Sequence, residues 1–288
     1  KLKKAKDEYL RQKSKCEWAQ QGLDNTAVFH AALRKRAARN RITNIKDMKG
    51  MECNSTETIQ NAFIEFYETL LGTNNDVERV NYRVIRTGNC LTARHCAILT
   101  NPVAKAEVKR ALFDIPGVKS PGPDGYGSQF FKDAWHIISE EVTQAIQSSY
   151  DSGKLLRKLN STTISLIPKV KTPDNVSQFR PIAWCNTLYK TLSKVLCARL
   201  NEILPDIINP AQSAFIKGRD IVGKVLICQH LIRMYGRGVC SPRIIMKLDI
   251  NKAYDSVEWS FIDEILEELG FPDRIHRLIM QCVTTPSY

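Results

Sequence analysis

The sequence predicts an α+β fold, and three observations carry the assignment. Residues 244–250 form a short apolar run, Ile244, Ile245, Met246, Leu248 and Ile250 around Lys247, directly after the helix-breaking Pro242, so a buried strand fits better than a helix. Residues 161–168 are rich in β-formers and alternate at Ile164 and Leu166. Elsewhere apolar residues recur at helical spacing, as at Leu188, Leu192, Val195, Leu196, Leu200 and Ile203.

In chain order, residues 1–21 have helical composition with few apolar positions (Leu2, Tyr9, Leu10, Trp18), and Gly22 ends that helix. Asp24 or Asn25 caps a second helix through Phe29, Ala32 and Leu33. It runs into an eight-residue stretch holding Arg34, Lys35, Arg36, Arg39 and Arg41, enough cations to contact several phosphates, or else simply a hydrated run. Ile42 to Cys53, turning at Lys49-Gly50, reads as a small hairpin. Asn54 to Glu57 offers a capping box for a helix carrying Ile59, Phe63, Phe66, Tyr67 and Leu70, stopped at Gly72. Residues 73–89 are polar and irregular, which divides the chain into a basic, mainly helical segment, 1–90, and a second domain, 91–288.

Pro102 opens a helix with Val103, Val108, Leu112 and Phe113 that ends before Pro116. Pro121-Gly122-Pro123-Asp124-Gly125 must be a rigid turn, and it precedes one long helix, residues 128–150. The strand at 161–168 leads through Lys169 and a turn to Phe179-Arg180-Pro181, where Pro181 keeps Arg180 extended. The amphipathic helix 186–204 breaks at Pro205. A glycine turn at Gly218, flanked by Lys217 and Arg219, precedes a helix with Val222, Val225, Leu226, Leu231 and Ile232, closed by Gly236-Arg237-Gly238. After the 244–250 strand, Asn251, Lys252 and Ala253 turn the chain into a helix of Trp259, Ile262, Ile265, Leu266 and Leu269, ended by Gly270 and Pro272.

With 288 residues and 43% hydrophobic content the chain can bury one large or two ordinary cores. Lys1 to Lys15 is too charged for a signal peptide and no apolar stretch approaches a membrane span, so a soluble, intracellular protein is expected. Nine cysteines without a Cys-x-x-Cys pair are expected to be reduced thiols. The net charge of +12 divides into +9 over residues 1–50, −3 over 51–150 and +6 over 151–288. Such asymmetry favours a nucleic acid over small neutral ligands, a hydrated surface being the alternative.

Two places carry candidate chemistry. Asp249 stands where its strand ends, its backbone fixed by the sheet and its oxygens free for a hard divalent cation; an N-cap or a solvated turn residue is the other reading. Lys169 and Arg180 flank one turn and can converge on a phosphate, the guanidinium bidentately and the ammonium as a point charge, unless Arg180 pairs with an acidic neighbour.

The run from Lys247 to Trp259, Lys-Leu-Asp-Ile-Asn-Lys-Ala-Tyr-Asp-Ser-Val-Glu-Trp, resembles the first catalytic motif of the reverse transcriptases of non-LTR (LINE-type) retrotransposons, most closely those of plants. Ile164 to Lys169 with Phe179 to Ile182, then Asn186, Tyr189 and Lys190, are similar to the family's fingers motifs. Gln212 to Ile221 resembles the next block, and Ser120 to Gly125 with Phe130-Phe131 the block ahead of the fingers. Trp18 to Asp47 resembles the segment between endonuclease and polymerase, with Leu23 departing from the Asp usual there.

The resemblance implies right-hand polymerase fingers with a partial palm, preceded by a mainly helical basic segment. It implies an RNA-directed DNA polymerase that copies RNA into DNA by two-metal nucleotidyl transfer. Asp249 would then be catalytic and, with the backbone carbonyl of Ile250, a ligand of two Mg2+ ions whose remaining ligands lie beyond residue 288. Lys169 and Arg180 would clasp the incoming triphosphate. Tyr254, where the family often has Phe, would lie beneath the sugar and exclude a 2′ hydroxyl, or else be a core aromatic. Asp255 is read as a cap for the Trp259 helix, and Lys217 and Arg219 as contacts to the template backbone, or else as ordinary exposed cations beside a glycine turn. The implied partners are an RNA template, a DNA primer or target and deoxynucleoside triphosphates, with no membrane; the nucleus is the implied location, the cytoplasm the alternative. The chain holds no Asp-Asp pair, so the family's second carboxylate motif is missing, and position 1 is not Met. An inactive amino-terminal piece of a longer polyprotein is expected, or a non-catalytic nucleic-acid-binding module derived from such a polymerase.

Overall fold

In a computed structural model of the chain, the structure describes residues 31, 34, 35, 38, 40–72, 78–220, 222–234, 246 and 257–287. The helix expected over 1–21, most of the second helix, Arg36, Arg39, the turn at Gly236–Gly238, and Asp249, Ile250, Tyr254 and Asp255 lie outside these. Of the expected strand 244–250 only Met246 is described; it belongs to neither helix nor strand and is 72% exposed. The rest mixes helices with short strands, as an α+β class requires, in two compact units.

The first unit joins the described residues up to Gly72 with Leu166–Ile182, two stretches far apart in sequence. Strand β1 (Ile45–Lys46) pairs antiparallel with β2 (Glu52–Cys53), in register Ile45 with Cys53. The expected hairpin is therefore present. Its turn is organised by Asp47, whose Oδ1 accepts from the N–H groups of Lys49 (2.9 Å) and Met51 (2.8 Å), and by Gly50 at φ +82°. Helix α1 (Thr56–Gly72) follows. Its capping box is one residue later than the sequence suggested: the Ser55 and Thr58 hydroxyls each accept the other's backbone N–H at 3.2 Å, so Asn54 and Glu57 are not the pair. The helix buries Ile59, Ala62, Phe63 and Phe66 in a core with Ile45, Cys53, Val176 and Phe179.

The second unit is mainly helical: α2 (Tyr82–Arg86), α3 (Ala93–Thr100), α4 (Lys105–Phe113), α5 (Ser128–Asp133) and α6 (Trp135–Ser152). Beyond the strands come α7 (Thr187–Ile207), α8 (Val222–Met234), α9 (Trp259–Glu268) and α10 (Asp273–Thr284). Four expectations are corrected. Residues 73–89 are not wholly irregular, since Asn81 caps the short α2 by accepting from Arg83 N–H. Pro102 does not open a helix; α4 starts at Lys105, while α3, with a capping box between Thr92 and His95, precedes it unforeseen. The long helix over 128–150 is two helices, because the backbone tightens at Ala134 into an i to i+3 turn whose carbonyl takes the Ile137 N–H at 2.8 Å. Helix α7 runs through Pro205, which sits in its last turn, where a missing N–H forfeits a single bond; Ile208 N–H still closes onto Leu204 O.

Leu99, Val108, Leu112, Ile146, Tyr150, Leu192, Val195, Ile203, Ile275 and Leu278 form the centre of this unit's core. Arg199, 5% exposed, stands inside it. Its guanidinium holds Glu107 bidentately (2.9 Å twice), donates to the carbonyls of Leu99, Asn101 and Pro102, and lies 4.7 Å from the centre of the Tyr150 ring. Burial lowers and Glu107 raises its pKa, the balance lying above the ordinary value. Every donor that a buried charge would otherwise leave unpaired has a partner here.

Candidate nucleotide and nucleic-acid interface

Strands β3 (Thr162–Pro168) and β4 (Phe179–Cys185) form a two-stranded sheet. Thr162 Oγ1 meets Cys185 Sγ, Trp184 Nε1 donates to Ser165 Oγ at 2.6 Å, and Lys169 N–H donates to Gln178 O at 2.8 Å. Contacts that rise along one strand as they fall along the other make the pair antiparallel. The connection is self-braced: Asn175 Oδ1 accepts from Ser177 N–H, Gln178 Oε1 from Asp174 N–H, and a 3₁₀ turn at Val176–Gln178 buries Val176 completely.

This places Lys169 and Arg180 at the same end of neighbouring strands, both exposed. Strand alternation turns Phe179 into the core and Arg180 to the other side. Arg180 forms no ion pair among the described residues, so the acidic-neighbour alternative finds no partner there. The Lys169 ammonium donates to Ser177 O at 2.8 Å and keeps two further N–H groups.

Beyond β4, Asn186 is 2% exposed and organises the start of α7. Its Nδ2 donates to the carbonyls of Lys158 (3.0 Å) and Leu159 (3.3 Å), and its Oδ1 accepts from Asp124 N–H (3.3 Å). The proline-glycine turn thus docks on this residue, helped by Thr187 Oγ1 on Tyr126 O (2.8 Å) and Lys190 Nζ on Ser120 O (3.3 Å). A Cβ on Gly122 would stand 2.3 Å from Asn186 Oδ1 and 2.5 Å from its backbone nitrogen, so only glycine fits. The rigid turn expected ahead of the 128–150 helix therefore also fixes the start of α7.

Lys217 is exposed, but Arg219 is otherwise engaged. Its guanidinium donates to the carbonyls of Pro205 (2.8 Å), Ile208, Asn209 and Gln212 (2.7 Å each). It therefore ties the loop after α7 to the end of that helix, a role that its flanking glycine turn did not announce. Phe215 in this loop is 86% exposed at φ +63°. Arg34 and Lys35 lie on exposed helical backbone and Arg41 is exposed just past it. The helix expected to be capped by Asp255, which lies outside the described residues, has Glu258 at its N-cap position. Among the described residues no three His, Cys, Asp or Glu side chains are grouped to hold a metal, and no helix is long and apolar enough to cross a membrane.

Residues 167–287 match the family described as reverse transcriptase (RNA-dependent DNA polymerase). Over that stretch the chain is similar to the reverse transcriptases of LINE-type elements. Its relatives agree. It is 25% identical over 243 residues, 84% of its length, to the transposon TX1 uncharacterized 149 kDa protein of Xenopus laevis, of which it spans 18%. It is 25% identical over 210 residues, 68% of the chain and 19% of the relative, to the retrovirus-related Pol polyprotein from the type-1 retrotransposable element R2 of Nasonia vitripennis. It is 28% identical over 153 residues, 53% of the chain and 14% of the relative, to the Pol polyprotein from the type-2 element R2DM of Drosophila melanogaster. The chain spans less than a fifth of each of these proteins. The reverse-transcriptase match takes in the whole connection from Lys169 to Arg180, β4, α7 and the position of Asp249.

Proposed function

We propose that the chain is the fingers and the first part of the palm of an RNA-directed DNA polymerase, akin to those of plant LINE elements, preceded over residues 1–90 by a basic extension. The observation that carries this reading is the pair of exposed cations, Lys169 and Arg180, at one end of a braced hairpin inside the reverse-transcriptase match. Such a pair suits the anionic oxygens of a deoxynucleoside triphosphate. Asp249 and the Ile250 carbonyl, with ligands from outside this sequence, would hold two magnesium ions, which supply charge stabilisation at the transferred phosphate. Tyr254 excludes a 2′ hydroxyl, and Lys217 with Arg34, Lys35, Arg36, Arg39 and Arg41 contacts the backbone of an RNA template or DNA primer. The setting is nuclear.

The test is primer extension on an RNA template by a longer chain that includes a downstream Asp-Asp motif. Asp249→Ala abolishes synthesis and leaves RNA binding intact, and Tyr254→Ala admits ribonucleotides; synthesis by Asp249→Ala refutes the assignment. The exposed Arg34, Lys35 and Arg41 favour a second reading, a binding module without catalysis. RNA binding by a longer chain that never extends a primer would select it.

A further inference from the structure

The hairpin end that carries Lys169 and Arg180 is held by residues more than a hundred positions upstream. Lys46 of β1 donates its N–H to Asp174 O at 2.8 Å and bridges Asn175 in parallel, so β1 crosses the connection between the two cations. Beneath it, Val176 and Ile45 are both fully buried in one cluster. Phe63 of α1 meets the Phe179 ring edge-on, centroids 5.2 Å apart at 87°. Phe179 is the residue before Arg180, and Ser177, which takes the Lys169 ammonium, lies in the turn anchored by Val176. The backbone that aims both cations is therefore packed on α1 and β1.

We propose that Phe63 is a positioning residue for nucleotide binding: its ring, through Phe179, holds the Lys169–Arg180 end of the hairpin in the geometry that a triphosphate requires. The inference rests on the nucleotide reading given above. Two cations on separate strands bind one polyphosphate well only while their spacing is fixed, and a displacement of about 1 Å is enough to lose a large part of such an interaction. Phe63 touches no ligand. It acts by keeping the tip closed against local opening, which needs less free energy than unfolding the chain.

The experiment uses the 288-residue chain and dTTP as the probe, with equilibrium dialysis for affinity and hydrogen exchange for the Lys46 and Lys169 amides. Arg180→Ala loses dTTP binding. Phe63→Ala weakens it about tenfold and speeds exchange at Lys46 and Lys169, while amides of the α7 helix and salt-dependent RNA binding stay as in the parent. Phe63→Leu, which keeps apolar volume, restores both affinity and protection, and it decides the case if Phe63→Ala does not fold. Parental affinity in Phe63→Ala with Arg180→Ala dead overturns the inference alone. So does Phe63→Leu with restored protection but unrestored affinity. Parental binding by Arg180→Ala overturns the nucleotide reading beneath it.

Discussion

Replacing Arg199 by Met removes a charge around which much of the second unit is wired. The methionine fills most of the space but leaves Glu107, whose side chain is only 16% exposed, without its bidentate partner, and strips donors from three carbonyls. Breaking one side of a buried ion pair costs about 3–5 kcal/mol, and the lost contact with the Tyr150 ring adds up to about 1 kcal/mol. Glu107 also lines a surface groove with Arg110 and Lys194, toward which it can turn, and this relief argues for the lower bound. At about 2–4 °C per kcal/mol for a unit of this size, the melting temperature should fall by about 6–12 °C. The assay is a calorimetric melt of the 288-residue chain beside Arg199→Met/Glu107→Leu, which removes the stranded carboxylate and should recover about 1–3 kcal/mol. A single variant that melts within about 2 °C of the parent, or a double variant no better than the single, would refute the buried-pair account.

Three further outcomes follow from the same geometry. Burial, with Cys197 nearby, pushes the Cys282 thiol up to about 11 against the Tyr189 hydrogen bond, and burial also raises Tyr150. The folded state thus keeps protons that the unfolded chain gives up: stability should drop by about 2–3 kcal/mol between pH 9 and 11, in urea titrations under reductant, and Cys282→Ala should flatten much of that slope. Gly122→Ala, forced against the backbone of Asn186, should cost about 3 kcal/mol or more and release the Asp124 amide to exchange; a parental melt would show that the turn is not docked. Arg34, Lys35 and Arg41 changed together to Ala should lower RNA affinity and reduce the log–log salt slope by about 2–3, and an unchanged slope would remove the upstream run from the interface.

What was legible in the sequence was what local chemistry decides. Gly50 and the alternation at Ile164 and Leu166 marked the two hairpins, and the apolar stripe from Leu188 to Ile203 marked α7. Local rules slipped by small amounts where several residues compete, as with Ser55 and Thr58 displacing Asn54 and Glu57, or where a helix tolerates what usually ends it, as at Pro205. The roles of Arg199 and Arg219 were illegible for a different reason. A basic residue on a helix or beside a glycine looks like solvent-facing charge until the carbonyls that receive it are in place, and those of Leu99 and Asn101 lie some hundred residues from Arg199. The contact of Phe63 with Phe179 is equally non-local. The Lys169–Arg180 pair was found because a strand, a turn and a Pro-restricted arginine are adjacent in the chain.

The first unit is assembled from stretches on either side of the Thr73–Ser165 segment, and this has a consequence for the protein as it leaves the ribosome. When Gly72 has emerged, the cluster of Ile45, Ile59, Phe63 and Phe66 still lacks Val176 and Phe179, which have not been translated. About a hundred further codons must be read, roughly 5–20 s at ordinary elongation rates. During that interval an apolar helix face waits on the nascent chain, a natural client for a ribosome-associated chaperone. A slow-codon pause placed where residue 182 has just left the exit tunnel would favour closure of the unit before later segments compete for it.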